Sequence, residues 1–490
     1  MKINDLKMTV QNYGILLFLL LFSNFYSQNT IQHNINLLTN HSTLKNANVT
    51  FLAIDLDNGD TIASHNPFKS QAFASNNKLF STASALEMIG PNYKPKTRIY
   101  INGHINLDST LIGDLWIRGG CDVSLGSVKY NGYKNALHFL DDWIELIKKN
   151  GINKITGNIY ADGSDFGYDG APNGWTWSDL GNYYGAASSG VCFHDNMMEL
   201  YFKTGEAGTR SKLIKTLPEL PGLKFNNYIS AANISHDGAY IYGGPFSSVR
   251  YGKGVLPENK SAFMVKSSMP DPSYQLIYEL NKKLIEHKLM DSINVTNEKN
   301  IKKPIYNDST LLFTYEGQQI KSIIKYTNTY SVNFFAEGLV QLVGYIESGN
   351  GTTSRGLKDI KKYWSNKFST KGLYITDGSG LSRSNAINAS HFCSLLKYMY
   401  SESDHYDAFF NSLAIAGETG TFKNICSGQL GEGRIFGKSG TLTRVKAYSG
   451  YVYSNSGKKI AFSFSANNFT CSKQKLIKLF TKTLNALAVY

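Results

Sequence analysis

Two strand-patterned tracts at opposite ends of the 490-residue chain limit its fold more than anything between them. Near the start, "NVTFLAIDLDNGDTIASHNP" (48–67) alternates in strand fashion around Asp57-Asn58-Gly59-Asp60, a hairpin signal. Near the end, "GRIFGKSGTLTRVKAYSGYVYSNSGKKIAFSFSANNF" (433–469) reads as three strands with a Ser-Asn-Ser-Gly turn, an antiparallel meander. An isolated hairpin is marginal in water, so both tracts need partners. The economical solution is one sheet assembled from both ends of the chain. Helical patterns at 81–88, 317–326, 333–347, 388–401 and 472–488 supply its cover. The predicted class is α+β, an antiparallel sheet flanked by helices.

The intervening region keeps a different texture. "RIYINGHINLDSTLIGDLWIRGG" (98–120) looks like a strand meander, and "NALHFLDDWIELIKKNG" (135–151) like an amphipathic helix closed by Lys-Lys-Asn-Gly. "INKITGNIYADG" (152–163) returns to strand, and a helix is predicted within "PDPSYQLIYELNKKLIEHKLM" (270–290). The expected domains are 28–88 with 315–490, interrupted by a strand-rich insert over 89–314 in two subdomains. At the start, Lys2 and Lys7 precede the apolar run "YGILLFLLLFSNFYS" (13–27), the pattern of a secretory signal. That run is too short for a stable membrane span, so residues 1–27 are expected to be a signal and the protein exported to the periplasm or cell envelope.

Bulk properties exclude several function classes. Cysteines 121, 192, 393, 426 and 471 contain no Cys-x-x-Cys pair, and the ten histidines lack ligand spacing, so neither a metal site nor a cofactor is expected. An odd number of cysteines leaves at least one thiol unpaired. The net charge of +13 falls only to +12 without residues 1–27 (Lys2, Lys7, Asp5). It is spread without a long basic run, which disfavours nucleic acid and fits an anionic envelope polymer.

Chemistry concentrates in three motifs. In "AFASNNKLFSTASALEMIG", Ser75 and Lys78 stand at i and i+3, on one face of a helix. A serine hydroxyl is a weak nucleophile until a base takes its proton, and a lysine serves if burial and nearby cations lower its pKa. The spacing alone says little, since Ser42, Ser322, Ser394, Ser456 and Ser472 share it. Two later elements single out Ser75: Ser331-Val332-Asn333 at a helix start, and Lys438-Ser439-Gly440-Thr441 on a strand of the meander. Ser331 can relay a proton to a leaving amine, and Asn333 can hold a peptide carbonyl. Lys438, Ser439 and Thr441 offer charge and hydroxyls to a substrate carboxylate, with Gly440 letting a ligand lie close to the strand. A rival Lys203-Thr-Gly comes before the Ser-x-Asn element and beside Glu206, an awkward neighbour for an anion.

Taken in order, these motifs resemble the signature of penicillin-binding proteins and serine β-lactamases. The closer resemblance is to D-alanyl-D-alanine carboxypeptidase/endopeptidases of the class C penicillin-binding type, peptidase family S13. Ser75 and Ser331 lie 256 residues apart, matching that family's large insert, and "LWIRGGCD", "GNIYADGSDF", "WTWSDLGNYYGA", "TDGSGLSRSNAI" and "LAIAGETGTFKN" add to the likeness. The resemblance implies a β-lactamase/transpeptidase-like domain that cleaves peptidoglycan stem peptides through an acyl-enzyme and binds β-lactams covalently. It makes Ser75 the nucleophile, Lys78 the base, and Ser331 with Lys438 the proton relay. Asn333 orients the substrate, the backbone N–H groups of Ser75 and Thr441 form the oxyanion hole, and the Thr441 hydroxyl binds the terminal carboxylate. Asp179 and Tyr184, with Arg383 nearby, match a pocket for the diamino-acid side chain of the stem peptide. Phe73-Ala74 replaces the usual Pro-Ala, Ser439 replaces a common threonine, and Cys121-Asp-Val departs from a Gly-Asp-Pro turn. A β-lactamase, or a binding protein whose catalysis has lapsed, are the competing readings of the same motifs.

Overall fold

The computed structural model describes residues 30–132, 136–295 and 302–490; the expected signal, residues 1–27, lies outside them. Both ends of the chain meet in a six-stranded sheet. Its order is Ala414–Ile415, Ile435–Leu442, Val445–Tyr453, Lys459–Asn467, Asn48–Asp55, Thr61–His65. Every neighbouring pair is antiparallel, and Asn48 lies opposite Asn467.

Side chains alternate across a strand, so this sheet buries two faces. Val49, Phe51 and Ala53 face a core with Ile31, Ile35, Phe480 and Leu484, from helices at 30–39 and Lys473–Ala488. Phe464 stacks on Phe480 there with centroids 3.8 Å apart. Leu52 and Ile54 face the opposite core with Leu79, Phe80, Ile324, Leu339, Trp364 and Phe392. Those residues come from Lys78–Met88, Ile320–Thr329, Asn333–Ser348, Thr353–Ser365 and Ala389–Ser401. The result is the predicted α+β class, with two helical layers around one antiparallel sheet.

Between the two halves, Leu311–Glu316, Lys96–Ile105, Thr110–Arg118 and Lys154–Ile155 form a second sheet, with Ile159–Asp162 also on Thr110–Arg118. Helices Phe139–Lys149 and Pro272–Glu286 cover it with Trp143, Ile144, Leu276 and Leu280. Two three-stranded sheets follow around Leu200, Phe202, Ile229, Ile241 and Leu256. All five cysteines are free thiols. Among the described residues no helix is long and apolar enough to cross a membrane, and no cluster of metal-ligating side chains occurs.

Candidate active site

Ser75 sits in a 3-10 turn, Ala74–Asn77, and the α-helix proper starts at Lys78, not at the hydroxyl as the spacing implied. The preceding Ala74 has φ +48°, a left-handed conformation unusual for a residue with a side chain. Its surroundings impose this. A Cβ on Gly380 (φ +80°) would fall 1.9 Å from the Ala74 carbonyl oxygen, and one on Gly440 would fall 2.1 Å from that of Phe73. Phe73 is fully buried with its ring 4.7 Å from that of Phe392. The nucleophile turn is therefore wedged between two glycines. The space that a Cβ on Gly440 would need is taken by the protein's own backbone.

Lys78 is fully buried. Its Nζ donates to Ser75 Oγ at 2.9 Å, Asn333 Oδ1 at 2.6 Å and the Ser379 carbonyl at 2.7 Å. Burial lowers its amine to about 7, while the nearby charges of Asp377 and Glu337 push it back up. At that value the neutral form is populated at physiological pH. A neutral amine has two protons, which Asn333 and Ser379 accept, leaving its lone pair toward the Ser75 hydroxyl. Lys438, also fully buried, donates to Ser331 Oγ at 2.8 Å and to the Ser439 carbonyl at 2.7 Å. Burial, then the charges of Lys78 and Lys446, holds it well below its ordinary value.

Ser75, Asn333, Asp179, Tyr184 and Thr441 together line an open cleft of about 800 Å³. Asn333 Nδ2 donates to the Tyr184 carbonyl at 2.8 Å, tying the Ser-x-Asn helix to the intervening region. Asp179 Oδ2 accepts from Thr176 Oγ1 at 2.7 Å, and burial, with the Asp179 charge, pushes the Tyr184 phenol up. Arg383 is exposed and donates to the Thr443 carbonyl at 3.1 Å, but does not line the cleft. Ser439 does not line it either: its side chain is buried opposite Tyr448, and only its carbonyl serves the site, through Lys438. Lys438 and Ser439 point to opposite faces of the strand. The rival Lys203 closes the strand Met197–Lys203 in a different sheet.

Three groups escaped the motif reading. Glu337, four residues after Asn333 on the same helix face, accepts from the Gly378 and Ser379 amides at 2.9 and 2.7 Å. Burial and the Asp377 charge raise its carboxyl to about 8. Asp377 is also buried and accepts from the Gly380 and Ser382 amides, Asn385 Nδ2 and Trp175 Nε1, at 2.7–2.9 Å. Together the two carboxyls shape the loop that presents the Ser379 carbonyl to Lys78. Lys446, on the strand beside Lys438, donates to Thr441 Oγ1 at 2.8 Å.

The description of the D-Ala-D-Ala carboxypeptidase 3 (S13) family matches residues 31–484. The chain belongs to this family. Among its relatives, a D-alanyl-D-alanine carboxypeptidase from an Actinomadura species is 25% identical over 453 residues, covering 89% of this chain and 81% of that one. D-alanyl-D-alanine carboxypeptidase DacB of Haemophilus influenzae is 22% identical over 445 residues, covering 86% of each. The crystal structure of penicillin binding protein 4 from H. influenzae superposes with a TM-score of 0.75 at 20% identity, covering 91% of this chain and 97% of that one. The S13 fold therefore extends across the sheet-and-helix half and the intervening region alike.

Proposed function

We propose that this protein is an envelope serine D,D-peptidase that cleaves D-Ala-D-Ala ends, and D-Ala-linked cross-bridges, of peptidoglycan stem peptides. One observation carries the reading: a fully buried amine near pKa 7 stands 2.9 Å from a hydroxyl that opens into a cleft. Lys78 takes the Ser75 proton as Oγ attacks the penultimate D-Ala carbonyl. The oxyanion is received by the Ser75 and Thr441 N–H groups, and Asn333 orients the peptide. Collapse breaks the peptide bond; the leaving amine takes a proton through Ser331, which Lys438 holds, and water then hydrolyses the Ser75 ester. Asp179 and Tyr184 line the wall that would receive the diamino-acid side chain, with Asp179 supplying charge for its ammonium. Family membership and the +13 charge support an anionic wall polymer as substrate and β-lactams as covalent inhibitors acting at Ser75. Residues 1–27 would direct export.

A fluorescent penicillin tests this directly. It should label Ser75 with a long-lived adduct, and Ser75→Ala should lose the adduct while keeping the fold. Persistent labelling of that variant would show that another serine reacts, and rapid release of hydrolysed drug would point to a β-lactamase. Mass analysis of peptidoglycan fragments after incubation separates the two peptidase activities. Loss of one D-Ala marks the carboxypeptidase, and conversion of dimers to monomers marks the endopeptidase.

A further inference from the structure

The three-stranded sheet of Gly238–Tyr242, Val249–Pro257 and Lys224–Ala232 has two unlike faces. Ile229, Ile241 and Leu256 point into its core. On the other face, strand pairing sets Tyr240, Lys253 and Tyr228 in one row, and Tyr242, Tyr251 and Asn226 in the next. Tyr228, Tyr240 and Tyr251 are 57%, 51% and 41% exposed, and Lys253 is exposed among them. Single exposed apolar side chains are ordinary, whereas rings gathered on one face mark a binding surface. Tyrosine also favours strands, so where these rings lie matters more than how many there are.

They lie beside the cleft that holds Ser75. The Ile241 N–H donates to Asn182 Oδ1 at 3.1 Å, and a Cβ on Gly181 would fall 2.2 Å from the Ile241 carbonyl oxygen. The strand is thereby fixed against residues 177–184. The Tyr242 ring stacks at 29° on that of Trp177, itself 55% exposed, with centroids 6.3 Å apart. Two residues further on, Asp179 lines the cleft, followed by Tyr183 and Tyr184. An aromatic surface thus runs from the cleft wall across the sheet.

The chemistry of the surface says what it binds. Flat rings with hydroxyl tips suit a ligand that has an apolar face and a hydroxylated rim, which describes a pyranose. Its axial C–H groups pack on the rings, and its hydroxyls meet the phenol O–H groups and Asn226. Tyr240 and Tyr228 lie two strand spacings apart, about 10 Å, the reach of a disaccharide. In a stem peptide, two residues separate the diamino acid from the sugar chain, and extended they span about 7 Å. With the diamino acid at Asp179, the sugars come to lie over this neighbouring surface. The Arg210 guanidinium stands 5.5 Å from the Tyr228 ring centroid, and with Lys253 it brings positive charge to the carboxylates of such a polymer. We propose that this face binds the glycan strand that carries the stem peptide, with two sugar units lying across Tyr240, Lys253 and Tyr228. The inference rests on reading the cleft as a D,D-peptidase site. It adds to that reading a preference for stem peptides still attached to their sugars.

The test compares KM for one pentapeptide ending in D-Ala-D-Ala, either free or attached to a tetrasaccharide of the glycan. Stacking on two rings should give the attached form a KM lower by about tenfold, with kcat alike. Tyr228→Ser combined with Tyr240→Ser should bring that ratio to within about twofold of one, and Tyr→Phe at both positions should keep most of it. The ratio is the readout, because a general defect would move both substrates together. Glycan strands stripped of peptide should bind the Ser75→Ala protein in calorimetry, and bind at least about tenfold more weakly when both serines are added. A wild-type ratio near one, or no binding of stripped strands, overturns the proposal. So does an equal loss on free and attached peptide in the double variant, which would mark a structural effect. A changed sedimentation of that variant would make the face a contact between copies and overturns it too. Failure of penicillin to label Ser75, with neither peptide cleaved, overturns the peptidase reading instead; binding of stripped strands is read independently of it.

Discussion

Gly440→Ala isolates the wedge around the nucleophile. The added methyl would stand 2.1 Å from the Phe73 carbonyl oxygen and 2.9 Å from Asn76 Oδ1, where ordinary contact needs about 3.4 Å, so something must give by about 1.3 Å. The strand Ile435–Leu442 is locked by pairing to Val445–Tyr453. The yielding part is therefore the turn that carries Ser75, and overpacking of this kind costs about 1–3 kcal/mol. A misplacement near 1 Å at a reacting atom lowers rates by about a hundredfold. The expected result is a fall in the Ser75 acylation rate constant of at least about tenfold, with fluorescent penicillin followed by stopped-flow. The loss should be the same for small and bulky β-lactams, because ligand space is not what changes. Thermal unfolding monitored by circular dichroism should show a cooperative transition a few degrees lower. Acylation within about twofold of wild type would refute the argument. A loss confined to bulky ligands would instead show that Gly440 makes room for them.

Two further perturbations probe the buried groups. Acylation should rise with pH as Lys78 loses its proton through about 7. Because the unfolded chain keeps that proton to the ordinary lysine value, the burial cost of Lys78 is relieved as pH climbs from about 7 toward 10.5. The stability gap between Lys78→Met and wild type, measured by urea unfolding, should therefore shrink across that range; a gap independent of pH would contradict the assignment. Glu337→Gln sets an amide N–H against the Gly378 or Ser379 N–H, leaving a buried donor unmet at about 1–3 kcal/mol. It should lower the unfolding midpoint and slow acylation by about tenfold or more, and unchanged acylation would show that the loop does not hold Lys78.

What the sequence discloses about this site follows from how local each contact is. Ser75 and Lys78 share a turn, and Ser-x-Asn and Lys-Ser-Gly are short motifs, so their order sufficed to find them. Strand alternation places Lys438 and Ser439 on opposite faces, a rule available from sequence, yet the motif treats both as ligand contacts. The close approach of Phe73 to Gly440 is invisible in the sequence because the two are more than 360 residues apart. Lys446 becomes visible only once Leu442 is known to oppose Val445, which fixes the register that brings Thr441 to it. The helix Thr353–Ser365 has a narrow apolar seam, with Gly356, Ile360 and Trp364 spaced by four among lysines. Its glycine admits the Val340 carbonyl, where a Cβ would lie 2.0 Å away. Residues 30–39 come soon after the apolar run 13–27 and look polar, although Ile31, Ile35 and Leu38 bury one side.

The pairing of Asn48 with Asn467 has a consequence for how the protein reaches its active form. Closing a chain segment of that length costs entropy that grows with the logarithm of its length, and distant pairings slow folding. The excursion between Lys96 and Glu316 leaves and returns through neighbouring strands, so pairing them takes that stretch out of the distance still to be closed. The Ser75 turn gains its shape only when Gly380 and Gly440 close on it. If these closures complete the Ser75 turn, covalent labelling by penicillin counts the molecules in which both ends of the chain have come together.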